Sequence, residues 1–292
     1  MKRIAILGCE NSHADTFLEF VRDKEEFRDI EVVGIYSDET EAAQNLANTF
    51  GVPVLENYAD AVGKVDAVVI TARHGANHYK YAKPYISSGV PMFVDKPVTI
   101  SEVEAIEFMR ELKAGGIRVC GGSSLKQDAS VMALKADAQA EVDGATVGGF
   151  VRAPYEAENE YGGFHFYSQH LVEMVSEIFG RFPKSVTAKK TGKQISVLFH
   201  YDGYDCAGLY VDCSYKYFVS RAAMKGTTAY EIVVPKVADD WFTREFREIS
   251  GLMDGKAQSL SYEEFIAPVF VMNAISRSLE SGKEEPVNKF EI

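Results

Sequence analysis

At 292 residues, with 46% apolar and 25% charged side chains, the chain has the make-up of a globular protein built on two cores, because single cores rarely grow beyond about 250–300 residues. A formal net charge of -12 without any long Lys/Arg run excludes the footprint of a nucleic-acid-binding protein. No run of about 18 apolar residues occurs, and four cysteines without CxxC spacing argue against a zinc knuckle or a disulfide framework, so a cytoplasmic protein with reduced thiols and no membrane partner is expected.

Up to about residue 122, short apolar strands at 4–7, 31–36, 67–71, 91–94 and 118–120 alternate with helical patterns at 15–22, 40–50, 78–88 and 100–114. That alternation is the signature of βαβ units and a doubly wound parallel sheet. Beyond Gly121-Gly122 the pattern changes. A helix near 130–137 leads to strands at 145–151, 185–188, 195–200, 208–213 and 217–219, with further helices at 167–179 and 262–281. No long helix separates the later strands, so they read as an antiparallel sheet. The predicted division is a dinucleotide-binding domain over 1–122 and an α+β domain with a mainly antiparallel sheet over 123–292. The outer face of that sheet needs a cover, and self-association into a homodimer or homotetramer is expected to supply it.

Ligands of open α/β sheets bind at the carboxyl ends of the strands, and four such ends carry chemistry here. After the first strand, Gly8-Cys9-Glu10-Asn11-Ser12-His13-Ala14 keeps only the first glycine of the GxGxxG/A pattern that admits a pyrophosphate. Glu10 in the second position brings a carboxylate toward two phosphates, which is a cost unless it turns away or meets a cation. Ser12 can cap the following helix and favour an anion at its amides, while a cap without a phosphate role is the alternative. After the second strand, Ser37 stands where a ribose-binding acid belongs and Asp38 comes one residue late, which leaves NAD against NADP open.

After the third strand comes Thr71-Ala72-Arg73-His74-Gly75-Ala76-Asn77-His78, where the Arg73 fork suits a phosphate or carboxylate and His78 fits a pocket wall. A surface loop with Asn77 starting a helix is the plainer reading. The fourth strand runs into Asp95-Lys96-Pro97. A strand end holds an ammonium group in place, and Pro97 can adopt the cis bond that turns the chain where Lys96 projects. In the second half, the segment from Glu160 to Glu173 opens a helix with a dense polar and aromatic set in which His170 shares a face with Phe166 and Glu173.

Taken together these segments resemble the Gfo/Idh/MocA family of nicotinamide-dependent sugar and polyol oxidoreductases, over nearly the whole chain. Asp95-Lys96-Pro97 is similar to the family's Glu-Lys-Pro, with one methylene fewer on the acid. The run from Thr71 to His78 is similar to its T-P-N-x-x-H loop, and Leu46-Ala47 to Phe50-Gly51 to its L-A-x-x-F-G helix end. Gly162 to Glu173 resembles its G-G-x-L-x-D-x-G-x-H-x-x-D segment, and Asn273-Ala274-Ile275 to Gly282-Lys283 its closing segment. The resemblance implies a Rossmann domain, NAD or NADP as cofactor, and oxidation of a CH–OH group of a sugar, polyol or related acid, or the reverse reduction. It implies proton transfer by Lys96 and His170, with Tyr167 or His165 standing in for an aspartate whose position is Phe166. Cofactor contacts are expected from Gly8, Glu10, Asn11, Ser12, His13, Ser37, Asp38, Ala72, Arg73, His78, Asp95, Lys96 and Pro97. Substrate contacts are expected from Lys126, Arg152, Tyr161 and His165, with Arg73, Lys126 and Arg152 offering charge to an anionic substrate. Glu10, His13 and Phe166 together favour a rival, a ligand-binding or regulatory protein that kept the fold and lost the cofactor. A metal held by Glu10, His13, His74 or His78 is a third reading, against which pocket-lining histidines are the simpler account.

Overall fold

The computed structural model describes residues 1–233 and 241–292, which form two compact units. The first comprises Met1–Gly122 together with residues 241–265 and 292, and the second comprises residues 123–233 and 266–291. The later half of the chain is therefore not one uninterrupted unit, as a division at residue 122 expects.

In the first unit, β1 (Lys2–Leu7), α1 (Ser12–Asp23), β2 (Ile30–Tyr36), α2 (Thr40–Phe50), β3 (Ala67–Ile70), α3 (Ala76–Ile86), β4 (Met92–Asp95), α4 (Glu102–Ala114) and β5 (Val119–Gly122) follow in the predicted alternation. The strands pair in parallel in the order β2-β1-β3-β4-β5. Right-handed crossovers then put α1 and α3 on opposite faces, because the order runs outward from β1 in one direction and from β3 in the other. The reversal point lies between β1 and β3, where the carboxyl-end loops diverge and leave room for a ligand. Alternate strand residues Ile4, Ile6, Ala67, Val69, Phe93 and Cys120 share one buried core with Phe17 and Phe20 of α1. Phe246, Ile249 and Leu252 complete that core.

In the second unit, α5 (Ala129–Gln139), β6 (Thr146–Tyr155), α6 (Phe164–Phe179), β7 (Ser185–Thr191), β8 (Gln194–His200), β9 (Asp205–Asp212), β10 (Tyr217–Ala223) and β11 (Gly226–Ile232) come next. They are followed by α7 (Trp241–Met253), α8 (Tyr262–Ser281) and the short β12 (Glu285–Pro286), of which α7 belongs to the first unit. The seven-stranded sheet has the order β11-β10-β6-β9-β8-β7-β12, and its pairs are antiparallel except β6 with β9. A period of two turns Val151, Ala153, Val197, Phe199, Tyr210 and Val219 inward, and α6 packs on β6 and β9. Phe150, Leu198, Ala207, Leu209 and Phe218 on the other face stay half-buried. Among the described residues no helix is long and apolar enough to cross a membrane.

Candidate functional site

The carboxyl edge of the first unit's sheet is built by close backbone approaches. Gly8 has φ +82°, and a Cβ there would lie 2.3 Å from the Ala72 backbone, so the turn after β1 lies flat against the end of β3. A Cβ on Gly121, at φ +118°, would lie 2.1 Å from the Val94 carbonyl, which fixes glycine beside the end of β4. Lys96-Pro97 is a cis peptide, and the Lys96 side chain, on a residue 5% exposed, leaves from that turn.

Asp95, fully buried, organises this edge. Its Oδ1 accepts the Lys96 amide at 2.6 Å, and its Oδ2 accepts from Asn11 Nδ2 at 2.8 Å and meets His13 Nδ1 at 2.6 Å. Burial pushes the Asp95 carboxyl up, but His13, Lys96 and His78 outweigh it and hold the group below the usual carboxylate range. Asn11, not Ser12, is the N-cap of α1: its backbone is extended and its side chain accepts from the His13 amide, while Ser12 is the exposed first helical residue. His13 does not face outward from the helix start. Its ring turns inside, edge-on to Phe242 at 4.8 Å, with Nε2 3.6 Å from Glu245 on α7. Sequence reasoning missed Glu245 because it missed α7, although apolar residues at 242, 246, 249 and 253 mark a helical stripe.

Glu10 reaches across the ends of two strands. Its Oε2 accepts from Ser37 Oγ at 2.6 Å and its Oε1 from the Arg73 amide at 2.9 Å. Asp38 is engaged by Tyr36 Oη at 2.6 Å and Lys80 Nζ at 3.2 Å. The amide of Ala76 donates to His74 Nδ1 at 3.2 Å, so His74 rather than Asn77 closes the start of α3.

His78 is a structural staple. It is fully buried between the β3 loop and the β4 turn, with Nδ1 2.8 Å from the Pro97 carbonyl and Nε2 2.8 Å from the Ala72 carbonyl, and the neutral ring donates to one of the two. Burial pulls its pKa below the usual value, against Asp95 and the two carbonyls, which favour the charged ring. An unfolded chain takes up a proton below about pH 6.5 that the folded ring resists, so this contribution to stability is complete above that pH and lost as pH falls. We expect His78→Gln to flatten the urea stability profile between pH 7.5 and 5.5 relative to wild type, whose slope from one such group reaches at most about 1.4 kcal/mol per pH unit. Parallel profiles for the two proteins would remove His78 as the source.

In the second unit, Ser123 Oγ lies 2.7 Å from His170 Nδ1 and accepts the Leu125 amide at 3.3 Å, so a residue that sequence reasoning did not single out fixes the Nδ1 side of the ring. The only local signal was its place directly after the strand-ending Gly121-Gly122. Glu173 Oε1 accepts from Gln169 Nε2 at 3.0 Å and from the Ser123 amide at 3.4 Å, which locks the turn of chain that carries Ser123 onto α6. At the expected aspartate position, Phe166 packs on Tyr161 and Tyr167 with ring centroids 5.6 and 5.3 Å away. Tyr167 meets the His170 ring edge at 5.2 Å, while His165 packs on Phe164 and burial lowers its pKa. Lys126 is 7% exposed in a short helical turn, and the Arg152 guanidinium holds the Lys216 carbonyl and Ser214 Oγ at 2.7 and 2.8 Å. Among the described residues no three His, Cys, Asp or Glu side chains are grouped to hold a metal ion.

Residues 2–122 match the family described as "Oxidoreductase family, NAD-binding Rossmann fold", GFO_IDH_MocA. No curated protein sequence matches the chain. Solved structures do. A myo-inositol dehydrogenase from Corynebacterium glutamicum superposes with a TM-score of 0.83 at 18% identity, over 99% of this chain and 100% of that one. A myo-inositol 2-dehydrogenase from Lactobacillus plantarum gives 0.84 at 15% identity, over 98% and 99%. A scyllo-inositol dehydrogenase from Lactobacillus casei, with bound NAD(H) and scyllo-inositol, gives 0.83 at 13% identity, over 98% and 99%. At these identities the likeness establishes the fold of both units. At the first unit's edge the flat turn at Gly8 and the inward His13 suit a dinucleotide, while the Glu10 carboxylate lies over the ends of β2 and β3.

Proposed function

With residues 2–122 belonging to the Gfo/Idh/MocA oxidoreductases, we propose that the chain is a nicotinamide-dependent oxidoreductase interconverting a CH–OH group and a ketone on a polyol, sugar or related acid. Gly8, Glu10, Asn11, Ser37, Ala72 and Arg73 would hold the dinucleotide, which supplies hydride acceptance and donation when bound. The observation that carries the reading is Lys96, buried at the end of β4 with its amide bonded to Asp95. An ammonium at a strand end of this edge would polarise a substrate oxygen and exchange its proton. His170, with Nδ1 fixed by Ser123, is the second proton-handling group, and Ser123 supplies the orientation that an aspartate at position 166 would give. The Arg152 guanidinium is committed to the Lys216 carbonyl and Ser214, which favours a neutral polyol over an anionic sugar.

The test is titration with NADH and NADPH, followed by assay of myo-inositol, scyllo-inositol and a uronate as probe substrates. Saturable binding of a dinucleotide and oxidation of a cyclic polyol are expected. Failure to bind either dinucleotide at millimolar concentration would select the second reading, a ligand-binding or regulatory protein, which Phe166 in the aspartate position favours.

Self-association is part of the same proposal. On the outer face of the seven-stranded sheet Phe150, Ala207 and Leu198 are direct neighbours by strand register, Phe218 and Leu209 flank Arg152 beside them, and all five apolar residues are half-buried. An apolar cluster of this kind on a folded chain marks an interface, and a second copy is the occupant expected of it. Sedimentation at micromolar concentration should give a dimer or tetramer that Leu209→Lys shifts toward monomer, and a wild-type monomer would contradict the assignment.

A further inference from the structure

The acid that a dinucleotide fold places at the end of β2 is missing, and Ser37 stands there. A carboxylate is nonetheless present, delivered from a different element. Glu10, in the turn after β1, occupies the place of the second glycine without left-handed backbone, since its φ is not positive. Its side chain extends to Ser37, which is 6% exposed and held by the Glu39 amide donating to its Oγ at 3.0 Å. The Arg73 amide fixes the other oxygen. An ionised carboxyl has about four lone-pair sites, and these two bonds fill one on each oxygen, so the capacity left over equals the two hydroxyls of a ribose. Asp38, the other acid nearby, is an exposed residue whose two oxygens already serve Tyr36 and Lys80.

We propose that Glu10 replaces the β2 acid, accepting hydrogen bonds from the adenosine ribose diol and repelling a 2'-phosphate, so that the chain selects NAD(H) over NADP(H). This rests on the dinucleotide reading above. The carboxylate that looked like an obstacle to the pyrophosphate is thereby a specificity-determining residue for the ribose, aimed by Ser37 and the Arg73 amide.

Two pairs of probes test it by calorimetry and fluorescence titration: NADH against NADPH, and adenosine 5'-monophosphate against adenosine 2',5'-bisphosphate. Wild type should prefer the probe without a 2'-phosphate in each pair by about tenfold or more, the worth of a charge-assisted bond. Glu10→Gln keeps the shape and loses the charge, and Glu10→Gly restores a glycine, so one of them remains informative if the other fails to fold. Both should reduce the preference by about tenfold, with thermal melting as the check on folding. Equal wild-type binding of NADH and NADPH overturns the inference and leaves the dinucleotide reading standing. So does a Glu10→Gly variant that tightens both probes equally, because Glu10 then only obstructs. Binding of neither dinucleotide by wild type or variants overturns the reading and the inference together.

Discussion

Replacing Lys96 by alanine should lower turnover on the best polyol substrate by at least about a hundredfold and up to about 10⁴-fold, the range general acid/base assistance supplies. Lys96 is 5% exposed at the end of β4, and the bond from its amide to Asp95 Oδ1 holds the backbone from which its side chain leaves. Because Ala leaves a void in a buried place, Lys96→Met is the better control: it fills most of the volume and carries no proton. Both variants should lose turnover to a similar extent, while dinucleotide affinity changes less than turnover does. His170→Asn should cause a smaller loss of turnover. Turnover within threefold of wild type in Lys96→Met would end the assignment of Lys96 as the proton-handling group.

The first unit was legible because its chemistry and its fold share one local signal. Alternation of strand and helix gave the five parallel strands, and strand ends then located Gly8, Ser37, Ala72 and Asp95 on a single edge. Side-chain directions on that edge were not legible. A GxGxxG-like pattern describes backbone, so it does not reveal that His13 turns inward to Asp95 or that Glu10 crosses to Ser37. The helix α7 escaped for another reason. Its apolar stripe shows that it packs, not on what, and its destination is a core that includes Phe17, Phe20 and Phe27 of the first α/β segments, far earlier in the chain. Strand direction in the second unit had the same limit. A period of two is identical for parallel and antiparallel strands, so the parallel pairing of β6 with β9 could not be read from alternation. Ser123 was missed because a single serine after two glycines looks like any turn residue until the fold sets it 2.7 Å from His170.

Asp95→Asn should destabilise the first unit by about 1–3 kcal/mol, the scale for leaving a buried hydrogen-bonding group without its partner. Three donors converge on this carboxylate: the Lys96 amide, Asn11 Nδ2 and His13 Nδ1. An asparagine amide presents one oxygen and one NH₂ group, so at least one of those donors would face another donor in a site with no exposure to water. The loss should not stay local. Asn11 is the N-cap of α1, and its release loosens the turn that carries Glu10, so dinucleotide binding should weaken along with stability. The pH dependence has a definite sign. Asp95 is held below its usual range, so its contribution is present above about pH 3.9 and is lost as pH falls through the folded value, and the variant should lack that acid limb. A double-mutant cycle with His13→Phe, a ring of similar size without the nitrogen, separates pairing from packing. If Asp95 and His13 act as a pair, the double variant should be less destabilised than the sum of the single ones by about 1–3 kcal/mol in urea denaturation. Strict additivity would mean that Asp95 serves the Lys96 turn and the helix cap alone, with His13 a neighbour rather than a partner.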